Sequence, residues 1–155
     1  MSLGDLLEKK LDLPGVGQGS LQVEADSGAV AEIEVVDSDR LGATVDRVRV
    51  IVPESAPLQQ QADAITGRVR ELGGKLIPVE VDERLGGGSL RTRTKDIRGG
   101  RFFEVELDGA GATVDRYKVG EGGQRERQPY TLTREQLGRL VDDLAEGLAG
   151  KGDED

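Results

Sequence analysis

Cysteine and histidine are both absent from this chain. Without thiols there is no disulfide framework, no sulfur nucleophile and no cysteine-bound metal. Without imidazole the commonest general base and the commonest zinc ligand are missing as well. Tryptophan is absent too, and two Phe and two Tyr are the whole aromatic complement of 155 residues, so a core has to be assembled from Leu, Val and Ile. No apolar run approaches the ~20 residues that a bilayer-spanning helix needs. The start, MSLGDLLEKKLDLPG, has neither a basic leader nor a long apolar stretch, so no signal peptide is expected and a cytoplasmic setting is. With no catalytic triad and no nucleotide or metal signature, the chain is expected to be non-enzymatic and to hold no cofactor or metal.

Charge, by contrast, is plentiful and unevenly spread. Lys and Arg number 21 against 30 Asp and Glu, a net charge of −9. Residues 1–83 hold 8 basic against 16 acidic side chains, residues 84–134 hold 11 against 7, and residues 135–155 hold 2 against 7. An acidic chain therefore carries one basic stretch. The overall sign favours solubility and disfavours nonspecific binding to nucleic acid.

The six residues GATVDR occur at 42–47 and again at 111–116, an offset of 69, and GSL at 19–21 recurs at 88–90 with the same offset. Between these anchors EIEV (32–35) corresponds to EVEL (104–107), with the difference absorbed in Gly- and Asp-rich turns. The pattern predicts a duplicated unit of three strands and a helix, spanning about 19–74 and 88–148. In the first copy Leu21–Ala25, Val30–Val36 and Ala43–Val52 read as strands. Val48, Val50 and Val52 should face inward and Arg47, Arg49 and Ile51 outward. In the second copy Tyr117 and Val119 are expected inside and Arg116 and Lys118 outside. Glu32 and Glu34, and likewise Glu104 and Glu106, would then stand across a hairpin from two basic residues, an arrangement that fixes register.

Apolar stripes mark the helices. Leu58, Ala62, Ile65, Val69 and Leu72 predict one helix, capped by Ser55, with Pro57 in its first turn and Gly73-Gly74 as its stop. Thr133 and Gln136 form a capping box, with Leu132 and Leu137 as its hydrophobic staple, ahead of a stripe of Leu137, Leu140, Val141, Leu144 and Leu148. A short helix over Leu3–Leu11 is capped by Ser2 and ended by Pro14-Gly15. Between the copies, residues 75–82 alternate Ile77, Val79 and Val81 with polar neighbours and predict a linking strand, which Pro78 assigns to an edge. The expected fold is α+β: a single domain over 1–148 whose antiparallel sheet has amphipathic helices on one face, followed by a disordered acidic tail at 149–155.

Two glycine-rich stretches invite a phosphate-loop reading, but GVGQGS (15–20) follows a helix and precedes a strand, the reverse of what that mechanism requires. RLGGGS (84–89) occupies the matching place in the second copy and reads as a turn. Glu80 and Asp82 share a strand face and the DSD at 37–39 lies in a turn, yet neither has the spacing of a calcium loop. The segment SLRTRTKDIRGGR (89–101) is the best candidate for a site. Arg91, Arg93 and Lys95 alternate onto one face of a strand, with Arg98 and Arg101 in the turn beyond. Cations converging there suit an anion, an acidic protein partner or a nucleic-acid backbone. Stacking aromatics, which nucleic-acid binding usually adds, are limited to Phe102 and Phe103, at least one of which belongs in the core.

The order α-βββ-α-β…β-α, the small size, the acidity and the amphipathic last helix resemble the small secretion chaperones. That resemblance, over most of residues 3–148, implies a homodimer that receives a partner protein chain, and it identifies no functional residue. A protein-interaction module is thus the expected function. The alternative is anion or nucleic-acid binding through the basic face at 91–101, the nucleic-acid version being disfavoured by the net charge. No membrane partner is expected.

Overall fold

A computed structural model describes residues 1–13, 18–92 and 100–152. The chain runs α1 (Leu3–Leu11), β1 (Gly19–Glu24), β2 (Val30–Ser38), β3 (Gly42–Ile51), α2 (Leu58–Arg68), β4 (Leu76–Asp82), β5 (Gly87–Thr92), β6 (Arg101–Leu107), β7 (Gly111–Val119), β8 (Arg125–Gln128), β9 (Tyr130–Thr133) and α3 (Arg134–Leu148). The fold is α+β. A nine-stranded sheet has the order β1-β2-β3-β7-β6-β5-β4, with β8 added to β7 and β9 to β3. Every pairing is antiparallel.

Alternation decides which face is covered. Along β2 the buried Ala31, Ile33 and Val35 alternate with Glu32 and Glu34, and along β3 Val48 and Val50 are buried, as is Val52 just past its end. The helices pack on that apolar face: α1 over β1 and β2, α3 over β3, β7 and β9, and α2 over β4 and β5, with α3 between the other two. The expected capping box is present at Thr133–Gln136, and the expected Ser2 cap is itself a full box, closed by Asp5. All five residues of the last stripe are buried. Gly138 and Gly147 share that stripe. A Cβ on Gly147 would lie 2.4 Å from Cγ1 of Ile65, and one on Gly4 would lie 2.2 Å from the carbonyl oxygen of Gly138, so α3 approaches both neighbours at glycine contacts.

Several expectations are corrected. α2 stops at Arg68, and Val69 is already extended (φ −74°, ψ 121°). Val69 and Leu72 are buried from the turn that follows, which prolongs the apolar stripe without prolonging the helix. Pro57 is the N-cap residue and no side chain caps this helix, so Ser55 has no such role. β4 is an edge strand, as Pro78 implies, with an irregularity between Pro78 and Glu80. Its buried residue, however, is Leu76, while Val79 is 54% exposed. Residues 149–152, assigned to the tail, are tied back by Ala149, Gly150 and Lys151 N–H bonds to α3 and by Arg68 bonds to the carbonyls of Lys151 and Gly152. The remainder of the predicted tail and the Pro14-Gly15 stop lie outside the described residues.

The repeated hexapeptide behaves differently in its two settings. In β3 the buried residues are Ala43 and Val45, then Val48 and Val50, a change of parity across Asp46-Arg47. The pairing with β2 is irregular at the same place, where Glu34 faces Arg47 but Val35 faces Val45. This bulge sends Arg47 to the open face. β7 pairs regularly with β6 throughout. Ala112 and Val114 are its core residues, so Asp115, Tyr117 and Val119 take the open face and Arg116 and Lys118 the helix side, the reverse of the expectation. Glu32 and Glu34 do stand opposite Arg49 and Arg47, but Glu104 faces Asp115 and Glu106 faces Thr113.

Where α2 meets α3, Asp143 Oδ1 lies 3.4 Å from Nε of Arg68. Burial, then the hydrogen bond and charge of Glu71, push the Asp143 carboxyl up from 3.8 to about 7; Asp142 adds to the push and Arg68 opposes it. Between those two values the folded chain holds a proton that the unfolded chain has released, so this group's contribution to stability falls as pH rises through about 7. Asp143→Asn should therefore raise the melting temperature at pH 8 relative to the parent and leave it nearly unchanged near pH 4. Thermal unfolding followed by circular dichroism from pH 4 to 8 checks this, and parallel curves for the two proteins would contradict it.

Candidate interaction face

The face of the sheet opposite the helices carries a row of arginines and aromatics across β5, β6, β7, β8 and β3. Strand alternation puts Arg91 on this face because its neighbours Leu90 and Thr92 are buried on the other. By the same rule Phe102 and Glu104 face outward beside the buried Val105 and Leu107. Register then assembles the row: Arg91 stands opposite Glu104, Phe102 opposite Tyr117, and Tyr117 opposite Arg127.

Glu104 is the hub. Its Oε2 accepts from Arg91 Nε at 2.7 Å and its Oε1 from Arg125 Nη2 at 3.0 Å. Around it the Phe102 and Tyr117 rings stack at 5.7 Å, with their planes 30° apart. The Arg91 guanidinium lies 5.3 Å from the Phe102 centroid, and that of Arg125 lies 3.9 Å from Tyr117 and 5.5 Å from Phe102. These are cation–π distances. Burial works against the Arg125 charge, but its bond to Glu104 and the charge of that carboxylate prevail and hold its pKa above the ordinary value. Alongside, Arg47 grips Asp115 with two bonds, Nε to Oδ1 at 2.9 Å and Nη2 to Oδ2 at 2.7 Å. That bond raises the Arg47 pKa in spite of partial burial. Arg49 reaches Thr113 and Asp108.

Among the described residues, guanidinium donors remain available in this arrangement. Among the described residues Arg91 gives one N–H to Glu104, while Arg125 bonds to Glu104 and to the Tyr117 hydroxyl, and their side chains are 39% and 37% exposed. Guanidinium has five N–H donors in a fixed fork. Held over rings and tied to one carboxylate, these two forks are oriented before anything binds.

Of the residues expected to form a site, Arg91 is in this row. Arg101 is not: it opens β6 rather than lying in a turn, stands opposite Lys118, and shares the helix side with Phe103 and Val105. Arg93, Lys95 and Arg98 lie outside the described residues. Phe103 packs against the core and meets the Tyr130 ring edge-on, with the Arg116 guanidinium 5.7 Å from its centroid. Arg125 and Arg127 were not anticipated, because β8 itself was not. Their alternation in QRERQ was the available signal.

The other candidates are structural. The Asp39 carboxylate accepts the N–H groups of Leu41 and Gly42, which hold its pKa below the usual range. It thus organises the β2–β3 turn, beside a cleft of about 260 Å³ that Thr44, Thr131 and Gln136 also line. Asp82 accepts from the Arg84 and Leu85 N–H groups in the β4–β5 turn, and Gly87 and Gly88 of the second glycine run enter β5. Gly19 and Ser20 likewise enter β1. Among the described residues, no three carboxylate side chains gather as metal ligands would, and no helix is long and apolar enough to cross a membrane.

Searches of protein-family models, curated proteins and solved structures found no match to this chain.

Proposed function

We propose that the protein is a non-enzymatic interaction module of the small chaperone or adaptor kind, working in the cytoplasm. Its uncovered sheet face would take an acidic segment of a partner protein. The observation that carries this reading is the Arg91–Phe102–Glu104–Tyr117–Arg125 row on a face that, among the described residues, no helix covers. Arginine and aromatic side chains are the residue types that anchor protein interfaces. Guanidiniums already fixed over rings lose little rotamer freedom when a carboxylate arrives. The small size and acidity that resemble the secretion chaperones are in keeping with this reading.

Anion or nucleic-acid binding is the second reading, favoured by the presence of stacked Phe102 and Tyr117 rings beside cations. It ranks lower for two reasons. The ring faces where bases would stack are occupied by Arg91 and Arg125, and the chain's net charge is −9.

The Arg125→Glu/Arg127→Glu double variant tests the choice in affinity purification from the native cells at low and moderate salt. β8 is short and pairs with β7 alone, and Arg91 still holds Glu104 in the variant; an unchanged circular-dichroism spectrum checks that the fold persists. The expected result is a stoichiometric protein retained by the parent at moderate salt and bound at least roughly thirtyfold more weakly by the variant, the effect of one interface hot spot. A partner held equally by both proteins would remove this face from the account. Elution of nucleic acid alone, with affinity falling steeply as salt rises, would transfer the assignment to the second reading.

A further inference from the structure

The two edges of the sheet are unlike. β4 carries Pro78 and an irregularity in register, features that blunt an edge against further pairing. β1 pairs with β2 in unbroken register from Gly19–Val35 to Glu24–Val30 and contains no proline. At the end of this hairpin Ala25 N–H donates to Ala29 O. Hydrogen-bonded pairs alternate along an antiparallel ladder, so they recur at Val23–Ala31 and Leu21–Ile33. The N–H and C=O groups of Ser20, Gln22 and Glu24 therefore point away from β2. Among the described residues one side chain meets this edge: Lys10 of α1, whose Nζ donates to Gln22 O at 2.8 Å.

We infer that β1 is a self-pairing edge, which joins a second copy of this chain through an antiparallel β1–β1 contact centred on Gln22. With Gln22 on the two-fold axis, it faces Gln22 of the second copy, and Ser20 faces Glu24 of the second copy. All of these residues direct their backbone groups outward, so each facing pair exchanges both bonds and no outward donor is left over. The side chains agree with this register. Leu21 falls opposite Val23 on the helix side, where both are apolar. On the open face glutamine meets glutamine and serine meets glutamate, with no like charges opposed. Sliding the register until the two-fold passes through Glu24 would set glutamate against glutamate, which is unfavourable.

Closed two-fold pairing uses the edge once per molecule, so the assembly stops at a dimer with one sheet running through both copies. Lys10 makes it reversible, since its amine must give up the Gln22 carbonyl to the incoming N–H. A strand-edge contact is also small as interfaces go. This inference stands apart from the partner-binding reading, because β1 and the arginine row lie in different parts of the sheet.

Sedimentation equilibrium over a concentration series at about 0.15 M salt, where repulsion between the acidic chains is screened beyond ~8 Å, measures the dimer. Gln22→Pro removes an N–H that β2 does not use and should weaken dimerisation at least tenfold with the monomer still folded. Two surface variants read the register without proline: Ser20→Glu should weaken and Ser20→Lys tighten association, each by roughly two- to thirtyfold, since two equivalent cross-strand pairs change. A parent that stays monomeric to roughly 1 mM would overturn the inference. So would a dimer indifferent to both Ser20 substitutions, whose interface would have to lie elsewhere.

Discussion

Alanine in place of Gly4 should cost the protein about 2 kcal/mol, although alanine is the better helix former. The added methyl would enter α1 at 2.2 Å from the Gly138 carbonyl oxygen and 2.5 Å from Oδ2 of Asp142. The first obstacle is backbone and cannot rotate away, so α1 has to move off α3. That movement disturbs the seat of Asp142, whose carboxylate accepts Gly4 N–H at 2.8 Å and the Ser2 hydroxyl at 2.9 Å and thereby joins the start of α1 to α3. Overpacking of this kind costs about 1–3 kcal/mol and loss of a cap about 1, against a propensity gain of about 1. Urea denaturation should show a lower midpoint at unchanged slope. Gly67→Ala supplies the opposite sign: it lies in α2 with nothing within 4 Å of the new carbon, so propensity acts alone and the midpoint should rise.

Leu144→Ala should be more damaging still, at about 2–5 kcal/mol. Leu144 is wholly buried in α3, the helix that lies between α1 and α2 and also rests on β3 and β7. The cavity would open in the one helix against which both other helices and the centre of the sheet pack. For a domain of this size that corresponds to a fall in melting temperature of roughly 6–15 °C. Leu41→Ala, at a side chain 75% exposed, should shift stability by no more than about 0.5 kcal/mol. Equal effects at the two positions would mean that α3 is not the centre of the core.

The features legible in the sequence were those written in local chemistry. The α3 box of Thr133 and Gln136 announces itself in a single turn, as does the cap at Ser2, and β1 to β4 follow from alternation between turn residues, with β5 to β7 placed by their likeness to the first three. What escaped was decided at longer range. The end of α2 was misplaced because Val69 and Leu72 are buried by a turn as well as they would be by a helix. β8 and β9 escaped because each is four residues long and Pro129, between them, reads as a break. Of the arginine row the sequence marks Arg91 alone as a candidate; its partners come from β6 and β8, and only the strand order brings Glu104 and Arg125 to it. Arg101 departs from its expected place because Gly99-Gly100 reads as a turn that includes it, whereas it opens β6.

The hexapeptide that β3 and β7 have in common sets a problem of timing. During refolding β6 and β2 each need a neighbour that begins Gly-Ala-Thr-Val-Asp-Arg, and two such neighbours exist, adjacent in the finished sheet. A hairpin is protected from the wrong choice, because β2–β3 and β6–β7 close through short turns long before distant strands meet. The residues around Asp46 then separate the two copies. Through the bulge, β3 directs Arg47 to the side on which β7 displays Asp115, and the two close as an ion pair. Two unbulged copies would instead present arginine on the helix side of both strands. The irregularity thus acts as a label that tells the chain which copy of the word it is using.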